Sequence, residues 1–183
     1  MKTLAQVICI LTVSCCGASA GTISVLPSSP TVSVGGSPFV NVNVAGLTDL
    51  YAFQFDVIFN PAILSVVSIT EGSLFSSVGV FFSPGTIDNT AGTITFIGDS
   101  LSGPGPGVSL DGALAQILFN AIGPGSSSID LSNVILLDSN FNDITASAVS
   151  GSMNVTSTPE PSSAMLLSAG LALLALVGHR VRA

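Results

Sequence analysis

In the stretch FVNVNVAG, Val40, Val42 and Val44 alternate with Asn41 and Asn43. Successive side chains of a strand point to opposite faces, so this period of two predicts a half-buried strand. The stretch LYAFQFDVIFNP extends the pattern. Tyr51, Phe53, Phe55, Val57 and Phe59 fall on one face, and Ala52, Gln54, Asp56 and Ile58 on the other. The first face is nearly all aromatic, as the core of a sandwich requires, and Pro61 then stops the ladder by removing a donor. TITFIG (93–98) and AQILFNAIG (115–123) repeat the theme, each closing on glycine. Turn signals separate the runs: SPG at 83–85, NTAG at 89–92, GPGPG at 103–107 and GPGS at 123–126. Short strands at this spacing, with no helix-length amphipathic segment and no internal repeat, predict an all-β antiparallel sandwich over residues 21–157. A brief helical turn is expected around DGALA (111–115).

The pattern changes at both ends. Residues 1–20 hold Lys2, an apolar run from Leu4 to Val13, and Ala18 and Ala20 in an A-x-A arrangement. That order predicts a secretory signal helix cleaved after Ala20. Near the other end, residues 162–178 carry no charge and are rich in Leu and Ala. A helix of that length covers roughly 25 Å, close to the ~30 Å hydrocarbon core, and flanking Ser and Arg side chains make up the difference. Arg180 and Arg182 follow it, and positive charge after a span favours the cytoplasmic side. The expectation is a C-terminal transmembrane helix over 162–178, in a terminal segment running from 158 to 183.

Charge and composition narrow the chemistry of the middle. Between Gly21 and Thr158 there is no Lys, Arg, His or Cys, whereas nine of the chain's ten acidic residues lie there. Such a body repels phosphate backbones, which excludes nucleic acid as a partner. The three cysteines, Cys9, Cys15 and Cys16, all fall in the signal segment, leaving no disulfide for the mature body. Without His, Cys or Lys the body has no Ser-His-Asp triad, thiolate nucleophile, Schiff base or zinc site. Asp49, Asp56, Asp88, Asp99 and Asp111 are scattered singly, as turn and solubility residues are, and the chain is not expected to be an enzyme. No cofactor is expected, with one candidate to weigh. LDSNFNDI places Asp138, Asn140, Asn142 and Asp143 in a short loop, and alternate oxygen ligands suit calcium. The loop lacks the glycine of a sharp calcium turn and a glutamate at the twelfth position. The same residues equally suit an Asx-rich turn. For sugar stacking the body offers no Trp, one Tyr (Tyr51, on the inward set) and ten Phe, most of them alternating as core residues do. Phe81-Phe82 is the exception, since neighbours on an extended chain point apart.

Two resemblances follow from these residues. Pro159-Glu160-Pro161, then the apolar helix, then the basic end with Arg180 and Arg182, resembles a PEP-CTERM sorting signal. That resemblance implies handling by an exosortase-type membrane enzyme of Gram-negative bacteria and removal of the span near the Pro-Glu-Pro motif. LYAFQFDVIFNPAILSVVSITEGSLF, the later DGALAQILFNAIGPGSSSIDLSNVILLDSNFNDI and the final VSGSMNV resemble, in that order, a cohesin domain. The resemblance implies a nine-stranded jelly roll close in architecture to some carbohydrate-binding modules. Where dockerin-binding cohesins present polar residues on the strand leading to the Asn-Pro pair, this chain has Ala52 and Gln54. The expectation is an exported, non-catalytic surface or extracellular-matrix protein that binds an unidentified surface protein. The alternative is a carbohydrate-binding module acting on extracellular polysaccharide. Its precursor sits in the inner membrane through 162–178, and the mature form lies outside it.

Overall fold

The computed structural model describes residues 21–76, 81–157 and 170. The signal segment with Ala18 and Ala20 lies outside the described residues. So do Pro159, Glu160, Pro161, Arg180, Arg182 and, Gly170 apart, the span 162–178.

Eleven strands follow in chain order: β1 (Gly21–Pro27), β2 (Thr31–Ser33), β3 (Phe39–Ala45), β4 (Ala52–Phe59), β5 (Leu64–Glu71), β6 (Thr86–Asp88), β7 (Thr93–Ser100), β8 (Gly112–Ala121), β9 (Gly125–Leu137), β10 (Ala146–Val149) and β11 (Gly151–Thr156). They form two sheets, β10-β1-β3-β8-β5 and β2-β11-β9-β4-β7-β6. Most pairs are antiparallel, as expected, but β1 with β10 and β11 with β2 run parallel. Nine strands were expected. The surplus reflects short pieces such as β2 and β6, three residues each, at the two edges of the larger sheet. The helical turn expected around DGALA is instead the start of β8. Ala113 pairs with Asn43 and Ala115 with Val42, so Leu114 is an extra residue whose side chain is fully buried. The Asp111 carboxylate accepts from Gly46 N–H at 2.8 Å and fastens the two strand ends together instead of capping a helix.

The predicted faces of β4 are the observed ones. Phe53, Phe55, Val57 and Phe59 are buried, and Phe53 lies 5.8 Å from Phe55 and 5.5 Å from Phe75, ring centre to ring centre. Phe59 meets Phe119 of the opposite sheet edge to face at 5.4 Å. Each such side chain contributes about 1.5–3 kcal/mol by leaving water, and ring pairs add to that. The strand ends where Pro61 requires. Asn60 Oδ1 accepts from Ala62 N–H at 3.0 Å, and the Asn60 carbonyl accepts from Ile63 and Leu64 N–H, turning the chain toward β5. Phe59 N–H is not left orphaned, since it donates to the Gly92 carbonyl at 2.8 Å.

A candidate docking face on the larger sheet

The outward residues of β4 are Ala52, Gln54, Asp56 and Ile58, at the centre of the larger sheet between β9 and β7. Ala52 is small, and Gly98 opposite Gln54 has no side chain, so the sheet surface dips there. A Cβ at Gly98 would stand 2.8 Å from the Phe53 carbonyl oxygen, a distance that forbids any larger residue without backbone movement. Ser83 and Gly98 exchange two backbone hydrogen bonds, at 2.8 and 3.1 Å, which hold the segment before β6 beside the dip. The result is a cleft of about 400 Å³ lined by Ala52, Gln54, Phe81, Phe96, Ile135 and Leu137, among others. Phe81 is 77% exposed and Phe96 58%. Two aromatic rings and an isoleucine exposed on one sheet face, with a half-buried leucine beside them, are an unusual concentration of apolar surface beside an acidic exterior.

Ala52 and Gln54, singled out in the sequence, thus lie in this cleft. Phe81 is the exposed member of its pair, and Phe82 packs against the core. Phe96, on the predicted TITFIG strand, and Phe141, in the predicted LDSNFNDI loop, are exposed, Phe141 at 69%. The reason at Phe96 is a β-bulge. Pairing between β4 and β7 shifts between Phe55 and Val57, so Ile94 and Ile97 both point inward while Phe96 turns out at φ 66°. Phe141 sits at the tip of a loop, also at positive φ, with its ring edge on Tyr51 at 5.7 Å.

That loop is the one weighed for calcium. The Asp138 carboxylate accepts from the N–H of Asn140 at 2.8 Å, the N–H of Asn142 at 2.9 Å and the Asn142 side-chain amide at 3.0 Å. These donors, the Asn142 amide first, hold its pKa below the usual carboxylate range. The oxygens a cation would need already accept from donors, as in an Asx turn. Asp143 bridges to Leu137 through the backbone. Among the described residues no three His, Cys, Asp or Glu side chains gather as a metal site.

The single aspartates have distinct tasks that spacing did not reveal. Asp49 accepts from Gly107 N–H and from the Ser139 hydroxyl, and Ser139 first, then Gly107, lowers its pKa. Asp99 is no surface residue: it is 5% exposed and points inward opposite Phe53. Its Oδ2 has no donor, and the carboxyl of Glu71, on the other sheet, reaches it. Burial first, and the Asp99 charge second, push the Glu71 pKa up.

The described residues thus form a two-sheet module with a recessed, apolar face on its larger sheet. The sequence profile of the cohesin domain matches residues 23–155, and that of the PEP-CTERM protein-sorting motif matches 157–182. The chain belongs to the cohesin-domain family. Among solved structures it is similar to the non-cellulosomal cohesin of the archaeon Archaeoglobus fulgidus, at 18% identity and a TM-score of 0.63, over 75% of this chain and 92% of that one. It is also similar to a type II cohesin from the cellulosome of Acetivibrio cellulolyticus, at 19% identity and a TM-score of 0.59, over 74% and 95%. The sixth cohesin of scaffoldin B from the same organism, solved in complex with a Cel5 dockerin, matches at 19% and 0.61 over 75% and 100%. At these identities the likeness is one of fold. No curated protein matches the chain. Cohesin domain and sorting motif together make this an exported protein that carries a cohesin module.

Proposed function

We propose that the protein is a non-catalytic cell-surface or matrix protein that binds a protein partner through the outer face of β9-β4-β7. The observation that carries the reading is the cleft: exposed Phe81 and Phe96 flank a recess whose floor offers Ala52 and Gln54. Apolar anchors in desolvated pockets dominate most protein–protein contacts. The cohesin in the dockerin complex supports a protein partner in general. Ala52 and the flanking phenylalanines favour one with a large apolar side chain at its centre. The sorting motif supports processing by an exosortase-type enzyme and a precursor held in the inner membrane of a Gram-negative bacterium. Calcium has no part in this reading.

Cross-linking in the native envelope tests the first claim. A photo-reactive residue at Phe81 is expected to capture a discrete protein, and the same residue at Thr70, on the opposite sheet, is not. Equal capture at both positions would sink the reading. For the tail, intact-mass analysis of the mature protein is expected to find neither Arg180 nor Arg182.

A second reading, binding of neutral extracellular polysaccharide, is favoured by the outer face of β3, β8 and β5. There the Gln116 amide donates to Asn41 Oδ1 at 3.0 Å beside a recess of about 280 Å³ that Thr70, Ser73 and Glu71 also line. Amides and hydroxyls without basic charge suit sugar hydroxyls. Glycan-array binding lost on Gln116→Ala but kept on Phe81→Ala would establish it in place of the first.

A further inference from the structure

We propose that Asp56 is the positioning residue of the docking face, clamping two β-bulges at once so that Phe96 stands beside the cleft. The assignment rests on the docking reading above and goes further by naming what shapes the site.

The geometry converges on one carboxylate. On one side of β4, the pairing with β7 leaves Thr95 and Phe96 opposite Asp56. On the other, the pairing with β9 shifts between Gln54 and Asp56, leaving Asn133 and Val134 opposite Phe55, next to Asp56. Both bulges contain a residue in the left-handed region, Phe96 at φ 66° and Asn133 at φ 50°. Asparagine enters that region readily; a bulky aromatic residue seldom does. Asp56 Oδ1 accepts from Phe96 N–H at 2.7 Å, and Asp56 Oδ2 accepts from the Asn133 side-chain amide at 2.6 Å. The two oxygens of one outward side chain therefore satisfy one bulge each. Only an ionised carboxylate offers two acceptor oxygens in one fork without bringing a donor.

The clamp has a consequence for the face. In an unbroken ladder with Ile94 inward, Phe96 would also point inward and Ile97 outward. The bulge keeps both isoleucines fully buried and releases Phe96 to the surface. Gly85 backs the bulge so closely that a Cβ there would lie 2.4 Å from the Thr95 carbonyl oxygen. The chain therefore has room to hold this shape, and the Asp56 carboxylate supplies the partner for the amide that the shape exposes. Strain at a non-glycine residue persists where its surroundings over-determine it, and such places cluster at functional sites.

The test uses the full-length chain in lipid nanodiscs, labelled with 3-fluorophenylalanine and titrated with indole as a probe of the cleft. The Phe81 and Phe96 fluorine signals are expected to shift saturably, and Phe96→Ala to abolish the effect at Phe81. Asp56→Ala is expected to broaden or move the Phe96 signal before any indole is added and to weaken indole binding about fivefold, the worth of one aromatic contact. Asp56→Asn, which keeps one acceptor, is expected to fall between. Should Asp56→Ala fail to fold, Asp56→Asn carries the test, and an unmoved Phe96 signal with wild-type indole affinity in that variant overturns the clamp. A Phe96 signal and an indole affinity unchanged in Asp56→Ala, with Phe96→Ala impaired, overturn the clamp alone. Indole binding untouched by Phe96→Ala overturns the docking reading and the clamp together.

Discussion

The Ser139 hydroxyl donates to the Asp49 carboxylate at 2.7 Å although the two residues are 90 positions apart in sequence. Asp49 itself lies at φ 59°, and its other oxygen accepts from Gly107 N–H. One side chain thus ties the loop after β3, the loop before β8 and the loop after β9 at a single end of the sandwich. A Cβ at Gly107 would meet the Asp49 backbone at 2.4 Å, so the approach is as close as two chains allow.

Asp49→Ala is expected to loosen these three loops together. Hydrogen exchange at the amides of Gly107 and Ser139 should accelerate in concert, with the β4 core amides slower to respond. Asp49→Asn, which tolerates the left-handed backbone and keeps one acceptor, should show a smaller effect. Unchanged exchange at Gly107 would remove the tie.

Replacing Phe55 by Ala empties the centre of the aromatic face. Phe55 is fully buried and stacked on Phe53, so the loss is expected to be about 3–5 kcal/mol in denaturant unfolding. Phe81→Ala, at an exposed position, should change stability by less than about 0.5 kcal/mol. Comparable losses at both sites would contradict the packing described.

Stability should peak in mild acid. Glu71, with its pKa raised, binds its proton more tightly folded than unfolded, so its contribution is complete at low pH and fades as pH rises through the folded value. No Lys, Arg or His in the body offsets the Asp99 charge beside Glu71. Asp49, Asp130 and Asp138 have lowered values, through hydrogen bonds chiefly from Ser139, Ser150 and Asn142 respectively. Their contribution is present above the unfolded value and is lost as pH falls through the folded one. Melting temperature followed from pH 8 to pH 2 should therefore rise and then fall, and Glu71→Gln should flatten the alkaline limb alone.

Calcium at millimolar concentration should leave the melting temperature where EDTA leaves it, because the Asp138 oxygens already hold donors from Asn140 and Asn142. A ligand at a hundred times its Kd would add about 2.7 kcal/mol. An upward shift abolished by Asp138→Asn would make the loop a cation site.

The faces of β3 and β4 were legible in the sequence because alternation reports burial wherever pairing is regular. Val40, Val42 and Val44 are all buried, with Asn41 between them. The cleft was legible only at Ala52, Gln54 and Phe81. Phe96 was hidden because a bulge adds one residue to the count, and nothing in TITFIG marks where. Asp99 was misjudged for a related reason: its partner Glu71 belongs to the other sheet, and pairings across a sandwich leave no local pattern. The tie from Asp49 to Ser139 is invisible on the same ground.

In the larger sheet the last strand, β11, is not an edge; it lies between β2 and β9, with hydrogen-bonded ladders on both sides. A chain crossing a membrane N-terminus first delivers that strand after all the others. Until Thr156 has emerged, β9 lacks its neighbour and Met153 and Val155 are missing from the core. Residues 151–156 are thus the last of the described strands to be made, and only with them are both the β9 ladder and the core complete.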